Sequence, residues 1–238
     1  MSKIPVAWLK VHRHRGKLEA EARALRAWLP AVGIYGPTCT VLSEVACLLS
    51  HVSGRPMDTP DLPQMVLRAG LRTLGDLVGR LHRLPWPDDD PIPLSQAIPA
   101  REAAWLARAQ ADLPSALYRH CAATFAAPLS SLRRVPCHRD LTLDNVLIDE
   151  GRVCLLDFGQ SRMDEPLADW VKLFELPESS THLSAFEEGY GATAEDVGGG
   201  HLRRAVLRHG LATFVWGRKK GDEPATERGL EILFRHCT

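Results

Sequence analysis

The chain has 238 residues, and its 29 lysines and arginines balance 29 aspartates and glutamates. This length is enough to bury a sizeable core in one or two domains. The balanced charge argues against a nucleic-acid-binding protein, and no apolar run approaches the roughly 18–20 residues of a membrane span.

Cysteine usage bears on the cellular compartment. The six cysteines are scattered, form no C-x-x-C pair and in several cases lie inside apolar runs. This pattern is typical of buried free thiols in a reducing cytoplasm. Because no apolar signal-peptide core follows Met1, the sequence predicts a folded cytoplasmic protein.

The N-terminal quarter alternates strand and helix patterns. Residues 5–11 (PVAWLKV) are typical of a strand, and His12 and His14 continue the alternation, so both are predicted to face solvent. Residues 18–29 carry apolar side chains at helical spacing. Residues 46–54 (ACLLSHVSG) predict a buried strand that ends in a linker.

Helical patterns dominate the rest of the chain. Apolar residues at spacings of three and four predict a helix over 62–84, which the loop of prolines and aspartates at 85–91 ends. A helix pair is predicted over about 100–126, interrupted near Pro114, and a final pair over 201–216 and 225–236 around a turn at 217–223.

A pattern of polar residues interrupts these helices at residues 137–159. His138, Asp140 and Asn145 follow the order H-x-D-x4-N, and Asp157-Phe-Gly comes twelve residues after Asn145. The pattern supplies a proton acceptor for a hydroxyl at Asp140 and two oxygen ligands for Mg²⁺, at Asn145 and Asp157. These are the parts that kinase-type phosphoryl transfer requires.

The residues between the two motifs support this interpretation. An apolar run after Asn145 ends at the turn Asp149-Glu-Gly151, and residues 153–156 predict a second short strand before Asp157. Such a hairpin brings Asn145 and Asp157 back towards each other. Each motif alone is common in ordinary loops, but the two together favour a metal site. Cys137 precedes His138 directly, and for this residue packing is a simpler role than that of a nucleophile.

With these residues, the chain resembles the aminoglycoside phosphotransferase and choline kinase-like family, the small-molecule branch of the protein-kinase-like fold. Residues 164–173 (DEPLADWVKL) are similar to the segment that closely follows the metal aspartate in that branch. Residues 186–191 (FEEGYG) resemble a family turn, and residues 213–217 with 221–222 resemble a late helical segment of one bacterial subgroup. The resemblance implies an α+β, two-lobed fold with a small β lobe over 1–54 and a mainly helical lobe over 55–238.

The resemblance also implies residue roles. Lys10 matches the phosphate-binding lysine, and Glu21 is the glutamate expected to pair with it, with Glu19 as the competing candidate. The Ser50 C=O and Val52 N–H match the hinge groups that pair with adenine. Asp169 is expected to brace the 138–145 loop by accepting backbone N–H bonds, and His138 is expected to shape that loop.

The N-terminus departs from the family pattern. Only nine residues, none of them glycine, precede Lys10, too few for two strands of about 5–6 residues and a glycine-rich loop. Three explanations stay open: a true start further upstream, a natural short form that closes its nucleotide site by another contact such as dimerisation, or a degenerate relative.

The functional expectation is an enzyme that uses Mg²⁺ and ATP, with GTP not excluded, to phosphorylate a hydroxyl of a small molecule. The acceptor is an aminoglycoside-like antibiotic or a polar metabolite; no nucleic-acid or membrane partner is expected, and the oligomeric state is open. The alternatives are an impaired pseudoenzyme or binding protein and, less favoured, a protein Ser/Thr kinase. A polycationic acceptor requires carboxylates, for which the candidates are Asp88–Asp90, Glu187, Glu188, Asp222 and Glu223.

Overall fold

The computed structural model describes residues 7–88, 90–129, 132–175 and 179–237, without the side chains of residues 179 and 180. The chain divides into two compact units: residues 1–87 with 135–193, and residues 88–134 with 194–238. The residues predicted to bind nucleotide or metal, to act as base or to shape the loop all belong to the first unit, whereas the acceptor-binding candidates Asp88, Asp90, Asp222 and Glu223 belong to the second. The lobe boundary at residue 54 stays a prediction.

The structure is α+β, with small antiparallel sheets and a larger share of helix. The strands are β1 (Ala7–Val11), β2 (Cys39–Val41), β3 (Ala46–Ser50), β4 (Arg55–Pro56), β5 (Val135–Cys137), β6 (Val146–Asp149), β7 (Arg152–Leu155) and β8 (Arg162–Asp164). The α-helices are α1 (Arg15–Arg23), α2 (Leu29–Ala31), α3 (Gln64–Arg83), α4 (Leu94–Ala109), α5 (Ser115–Ala126), α6 (Leu167–Trp170), α7 (Ser179–Tyr190), α8 (Ala194–Gly198), α9 (Leu202–Lys220) and α10 (Glu223–His236).

The first sheet has the order β1-β3-β2, and both pairs are antiparallel. Lys10 on β1 lies opposite Cys47 on β3, and Ala7 lies opposite Ser50. Pro5 and Val6, which the strand prediction includes, lie outside the described residues. The helix predicted over 18–29 begins earlier, at Arg15, and continues through a π-helical turn at Ala24–Trp28.

Strands β6 and β7 form the predicted hairpin, in which Val146 lies opposite Leu155. The two turn residues Glu150 and Gly151 have φ values of 47° and 82°. Positive φ at both positions is the type I′ geometry that matches the twist of paired strands. Leu156 N donates to Asn145 O at 2.9 Å, which extends the pairing beyond β7. The hairpin prediction is therefore confirmed.

Helices α3 and α7 of the first unit pack closely at two glycines. A Cβ on Gly75 would lie 2.0 Å from Phe186 O, and one on Gly189 would lie 1.7 Å from Arg72 O. The segment 186–191, predicted as a turn, is instead the last turn of α7 for most of its length. Gly191, with φ of 83°, ends the helix.

The second unit packs α4, α5, α9 and α10 around one apolar core. Its central side chains come from α5, α9 and α10: Leu117, Cys121, Phe125, Leu207, Leu211, Phe214 and Leu233. The turn predicted at 217–223 is shorter than expected, because α9 continues to Lys220 and ends at Gly221, with φ of 67°. Gly217 stays helical; it is a packing position, since a Cβ there would lie 2.6 Å from Thr226 N. None of the described helices is long and apolar enough to cross a membrane.

Candidate active site

The loop of residues 138–145 connects β5 to β6 and carries three of the predicted site residues. His138 is fully buried, and its Nε2 lies 2.7 Å from Leu156 O. Its Nδ1 accepts a hydrogen bond from Asp140 N at 3.2 Å, so the ring proton resides on Nε2 and is donated to Leu156 O. The imidazole therefore ties the loop to the end of the hairpin and is not aimed at a substrate.

The buried carboxylate of Asp169 holds the same loop from the other side. Its Oδ2 accepts from His138 N at 2.9 Å, and its Oδ1 accepts from Arg139 N at 2.5 Å. Arg139 has φ of 66°, a conformation that L-residues rarely adopt. His82 Nε2 donates to Asp169 Oδ2 at 3.0 Å. These two backbone bonds keep the loop in its strained conformation.

The protonation of Asp169 follows from this environment. Burial by itself raises the pKa of its carboxyl group, but the hydrogen bond and charge of His82, with the Arg139 backbone bond, hold that pKa below its usual value. Asp169 is therefore ionised in the folded protein at neutral pH.

Asn145 is oriented by two hydrogen bonds of its amide nitrogen. Nδ2 donates to Asp140 O at 3.0 Å and to Thr142 Oγ1 at 3.1 Å. Because the nitrogen is used within the loop, the amide oxygen is the atom left for a cation.

Asp157 follows β7 in a left-handed conformation, with φ of 55°. Its Oδ1 accepts from Gly159 N at 3.3 Å and lies 3.0 Å from Lys10 Nζ. Burial raises the pKa of the Asp157 carboxyl, but Lys10 and the Gly159 bond outweigh burial and lower it overall. About half of the side chain, 47%, stays exposed. An ionised, accessible carboxylate results.

Lys10 is shared between two carboxylates. Its Nζ lies 2.8 Å from Glu21 Oε1 as well as 3.0 Å from Asp157 Oδ1. Burial lowers the pKa of the lysine, yet its two acidic partners, led by Glu21, raise it overall. Glu19, the competing candidate, is exposed and pairs with Arg15 at 2.7 Å. The structure thus brings Glu21, and not Glu19, to Lys10.

His12 contradicts the sequence-based prediction of a solvent-facing side chain. Its side chain is only 5% exposed, and its Nε2 lies 2.6 Å from Glu21 Oε2. Strand β1 ends at Val11, so the alternation does not extend to His12 and His14; His14 is exposed as predicted, whereas His12 is buried against the α1 residue Glu21. Glu21 therefore has one oxygen on Lys10 and the other on His12.

The predicted hinge follows the strand that pairs with the lysine strand. Ser50 is the last residue of β3, and its Oγ accepts from Thr38 N at 2.9 Å. The Val52 side chain is buried. Both residues belong to the same compact unit as Lys10 and Asp157.

The donor set fits a magnesium ion. Asn145 offers a carboxamide oxygen and Asp157 a carboxylate, and Mg²⁺ prefers a few protein oxygens together with water and phosphate. The ammonium of Lys10 now neutralises Asp157 at 3.0 Å. Asn145 and Asp157 would hold the cation, whose charge would compete with the Lys10 ammonium for the Asp157 carboxylate.

Three residues around the loop were missed by sequence reasoning. Arg139 Nε contacts the buried Asp164 Oδ2 at 3.0 Å, and Lys172 Nζ lies 3.4 Å from Asp140 Oδ1. His82 could have been found, because it occupies an apolar face of α3 together with Leu71, Leu74 and Val78, where a polar side chain is unusual. Nothing in the local pattern indicated Lys172.

Four of the carboxylates proposed for a polycationic acceptor have partners within the protein: Asp88, Asp90, Glu188 and Asp222. Asp88 and Asp90 each lie 3.1 Å from Arg134, and Glu188 lies 3.1 Å from Arg72. Asp222 caps α10 by accepting from Ala225 N at 3.0 Å. Asp89 lies outside the described residues.

Cys137 is buried and its thiol pKa is raised, first by burial and then by Asp169, which agrees with packing and not with nucleophilic attack.

Glu21→Gln is expected to weaken binding of the expected nucleotide about tenfold, because an amide keeps the shape but removes the charge that holds the Lys10 ammonium. The measurement is a nucleotide titration followed by thermal unfolding. Glu19→Gln is the matched control, since its carboxylate is exposed on the same helix. Equal affinities in the two variants would contradict the role assigned to the Lys10–Glu21 pair.

The fold and this arrangement of a loop aspartate, two oxygen donors and a lysine–glutamate pair define the protein-kinase-like class. Residues 7–207 match the family model described as the phosphotransferase enzyme family, and the chain belongs to that family. No curated protein sequence matches it.

Solved structures with the same fold are distant in sequence. A GDP and kanamycin complex of APH(2″)-IIia has a TM-score of 0.75 at 14% identity, covering 97% of this chain and 86% of the other. A thermostable mutant of APH(4)-Ia with ADP and hygromycin B has a TM-score of 0.73 at 16% identity, covering 93% and 82%. The macrolide 2'-phosphotransferase MphH from Brachybacterium faecium has a TM-score of 0.66 at 18% identity, covering 95% and 83%. At these identities, the likeness concerns the fold.

Proposed function

We propose that this protein transfers the γ-phosphoryl group of ATP, with Mg²⁺, to a hydroxyl group of a small molecule. The observation that carries the proposal is the loop of residues 138–145. There the Asp140 side chain is accessible and Asn145 is oriented by two hydrogen bonds. Across the following hairpin, Asp157 lies 3.0 Å from Lys10. Membership of the phosphotransferase enzyme family supports the same reaction class.

Each side chain has one task in this mechanism. Asp140 orients the acceptor hydroxyl and takes its proton as the new O–P bond forms and the bond from Pγ to the bridging oxygen breaks. Lys10, held by Glu21, contacts the α- and β-phosphates. Asn145 and Asp157 would hold Mg²⁺, which when bound neutralises phosphate charge.

His138 and Asp169 act on the loop and not on the substrate. Their hydrogen bonds to Leu156 O and to the backbone of residues 138 and 139 fix where Asp140 stands. A preset base matters, because a misplacement of about 1 Å can cost about 10²-fold in rate.

Adenine recognition is assigned to the backbone groups Ser50 C=O and Val52 N–H. The neighbouring structures contain GDP in one case and ADP in another, so GTP is retained as a possible donor beside ATP. Backbone pairing depends little on side-chain identity, which is why the donor has to be measured.

The acceptor is assigned only to a class, a small polar molecule with a free hydroxyl. Kanamycin and hygromycin B are bound in related folds, which makes aminoglycosides the first compounds to assay. Macrolides and polar metabolites follow. We place the reaction in the cytoplasm, where ATP is available and the free cysteines stay reduced.

The test has two stages. In the first, thermal unfolding is followed with millimolar Mg-ATP and Mg-GTP; a bound nucleotide at 100 times its Kd adds about 2.7 kcal/mol. Wild type is expected to gain stability with Mg²⁺ present, and Asp157→Ala is expected to lose this gain. In the second, ADP release is measured with kanamycin, hygromycin B, a macrolide and a set of polar alcohols.

No stabilisation of wild type by either nucleotide would overturn the proposal and favour the pseudoenzyme. Phosphate incorporation into added protein, but into none of the small molecules, would instead favour a protein kinase.

A further inference from the structure

Lys172 lies beside the proposed base and has no role in the mechanism above. Its Nζ is 3.4 Å from Asp140 Oδ1, and its side chain is 22% exposed against 37% for Asp140. It belongs to the 3₁₀ turn Val171–Glu175, which directly follows α6. The flanking Val171 and Leu173 are buried. The anchored turn therefore presents the intervening lysine towards the loop of residues 138–145.

The contact contributes little to stability. Ion pairs between partly exposed side chains are worth about 0–1 kcal/mol. The separation of 3.4 Å also exceeds the roughly 2.7–2.9 Å of a tight charge-assisted hydrogen bond. A lysine held loosely on the catalytic carboxylate calls for a different explanation than folding.

Phosphoryl transfer changes the charge of Asp140, the carboxylate that Lys172 contacts. Before the reaction Asp140 is ionised and attracts the ammonium. When Asp140 takes the hydroxyl proton it becomes neutral, and the nearest negative charge is then on the transferring phosphoryl oxygens. The acceptor oxygen has to lie about 2.6–3.2 Å from Asp140 and about 3–3.5 Å from phosphorus. A flexible lysine stem spans the short remaining distance.

We propose that Lys172 is a catalytic residue, one that holds Asp140 in the free enzyme and binds the transferring phosphoryl group in the transition state. This inference rests on the proposed phosphotransfer function. No bond to Lys172 forms or breaks: the new O–P bond forms, the bond from Pγ to the bridging oxygen breaks, and the proton goes to Asp140. The ammonium stabilises charge only.

The two lysines of the site then divide the phosphates between them. Lys10 contacts Asp157 and Glu21, at the nucleotide end. Lys172 contacts Asp140, at the acceptor end. Lys10 is therefore expected to affect nucleotide affinity, whereas Lys172 is expected to affect the chemical step.

The test compares Mg-ADP with Mg-ADP plus aluminium fluoride, a planar mimic of the transferring phosphoryl group. Four proteins are unfolded thermally: wild type, Lys172→Met, Lys172→Arg, and the control Lys219→Met, which replaces an exposed lysine of α9. All four are expected to gain the same stability from Mg-ADP. Aluminium fluoride is expected to add a further gain in wild type and the control, most of which Lys172→Met loses and Lys172→Arg partly retains.

Turnover provides a second readout with any acceptor found in the panel. Lys172→Met is expected to lower kcat about 10²-fold, as loss of one transition-state donor does elsewhere, with KM for ATP changed less than threefold. The role of Lys172 would be overturned if aluminium fluoride raised the thermal stability of Lys172→Met as much as that of wild type. It would also be overturned if aluminium fluoride did not raise the stability of wild type. A failure of Mg-ADP to stabilise any of the four proteins would instead overturn the phosphotransfer function itself.

Discussion

Asp140→Asn is expected to lower kcat by about 10²–10⁴-fold, the range that a positioned general base supplies. Asparagine keeps the size of the side chain and the backbone bonds of the loop, but it cannot accept the hydroxyl proton. Mg-nucleotide binding is expected to stay within about threefold of wild type, because Asn145, Asp157 and Lys10 remain. The measurements are ADP release with an accepted substrate and a nucleotide titration of thermal stability.

Asp144→Asn is the matched control for this substitution. Asp144 is exposed and lies in the same loop, four residues from Asp140. Its substitution removes one surface charge and is expected to leave kcat within a factor of two or three. Equal turnover in Asp140→Asn and wild type would show that Asp140 is not the general base.

Asp169→Asn is expected to destabilise the fold by about 3 kcal/mol and to reduce turnover strongly. The carboxylate accepts hydrogen bonds from His138 N, Arg139 N and His82 Nε2. An amide places N–H groups against at least one of these donors, and buried unpaired donors cost about 1–3 kcal/mol each. Because the same bonds hold Arg139 in its left-handed conformation, loss of loop geometry accompanies loss of stability. Chemical denaturation measures the first effect and kcat the second.

The pH dependence of the unfolding free energy shows whether Asp169 stabilises the fold through its negative charge or through the shape of its side chain. The folded-state pKa of Asp169 is lowered, so its stabilising contribution is present above the unfolded value of about 3.9 and is lost as the pH falls through the folded value. The difference in unfolding free energy between wild type and Asp169→Asn is therefore expected to narrow below about pH 4. A difference that stays constant down to pH 2 would contradict the electrostatic explanation.

A surface carboxylate provides the comparison for stability. Asp149 lies 3.1 Å from Arg152 across the hairpin turn, and the arginine is 66% exposed. Solvent screens this pair, so Asp149→Asn is expected to cost less than about 1 kcal/mol. A cost as large as that of Asp169→Asn would show that burial is not what makes Asp169 important.

Local patterns carried much of the fold prediction. The hairpin at 146–155 was predicted because its turn residues and apolar runs act over a few positions, and helix α3 because its apolar spacing persists over five turns. The prediction failed where a residue has two uses. The sequence suggests that Gly217 ends a helix, but in the structure it lies within α9 and packs against Thr226 of α10. Whether a glycine ends a helix or allows close packing depends on the neighbouring helix, which the local sequence does not contain.

The same distinction applies to the candidate site. The order of His138, Asp140, Asn145 and Asp157 predicts the reaction class, because the required donor types and the hairpin between them are local properties of the chain. Choosing Glu21 over Glu19 required the side of α1 that faces β1, since both glutamates fit the spacing.

By itself, then, the sequence determined the order of Asp140, Asn145 and Asp157, which lie within twenty residues of one another, and this order predicts a base and two metal ligands. Only the tertiary structure decided which distant groups complete the site: His12 on Glu21, His82 on Asp169 and Lys172 on Asp140. These contacts join segments separated by up to 87 positions. The apolar face of α3 marks His82 as unusual, but no local pattern names its partner or the partners of His12 and Lys172, because burial and partner choice are set when the elements pack.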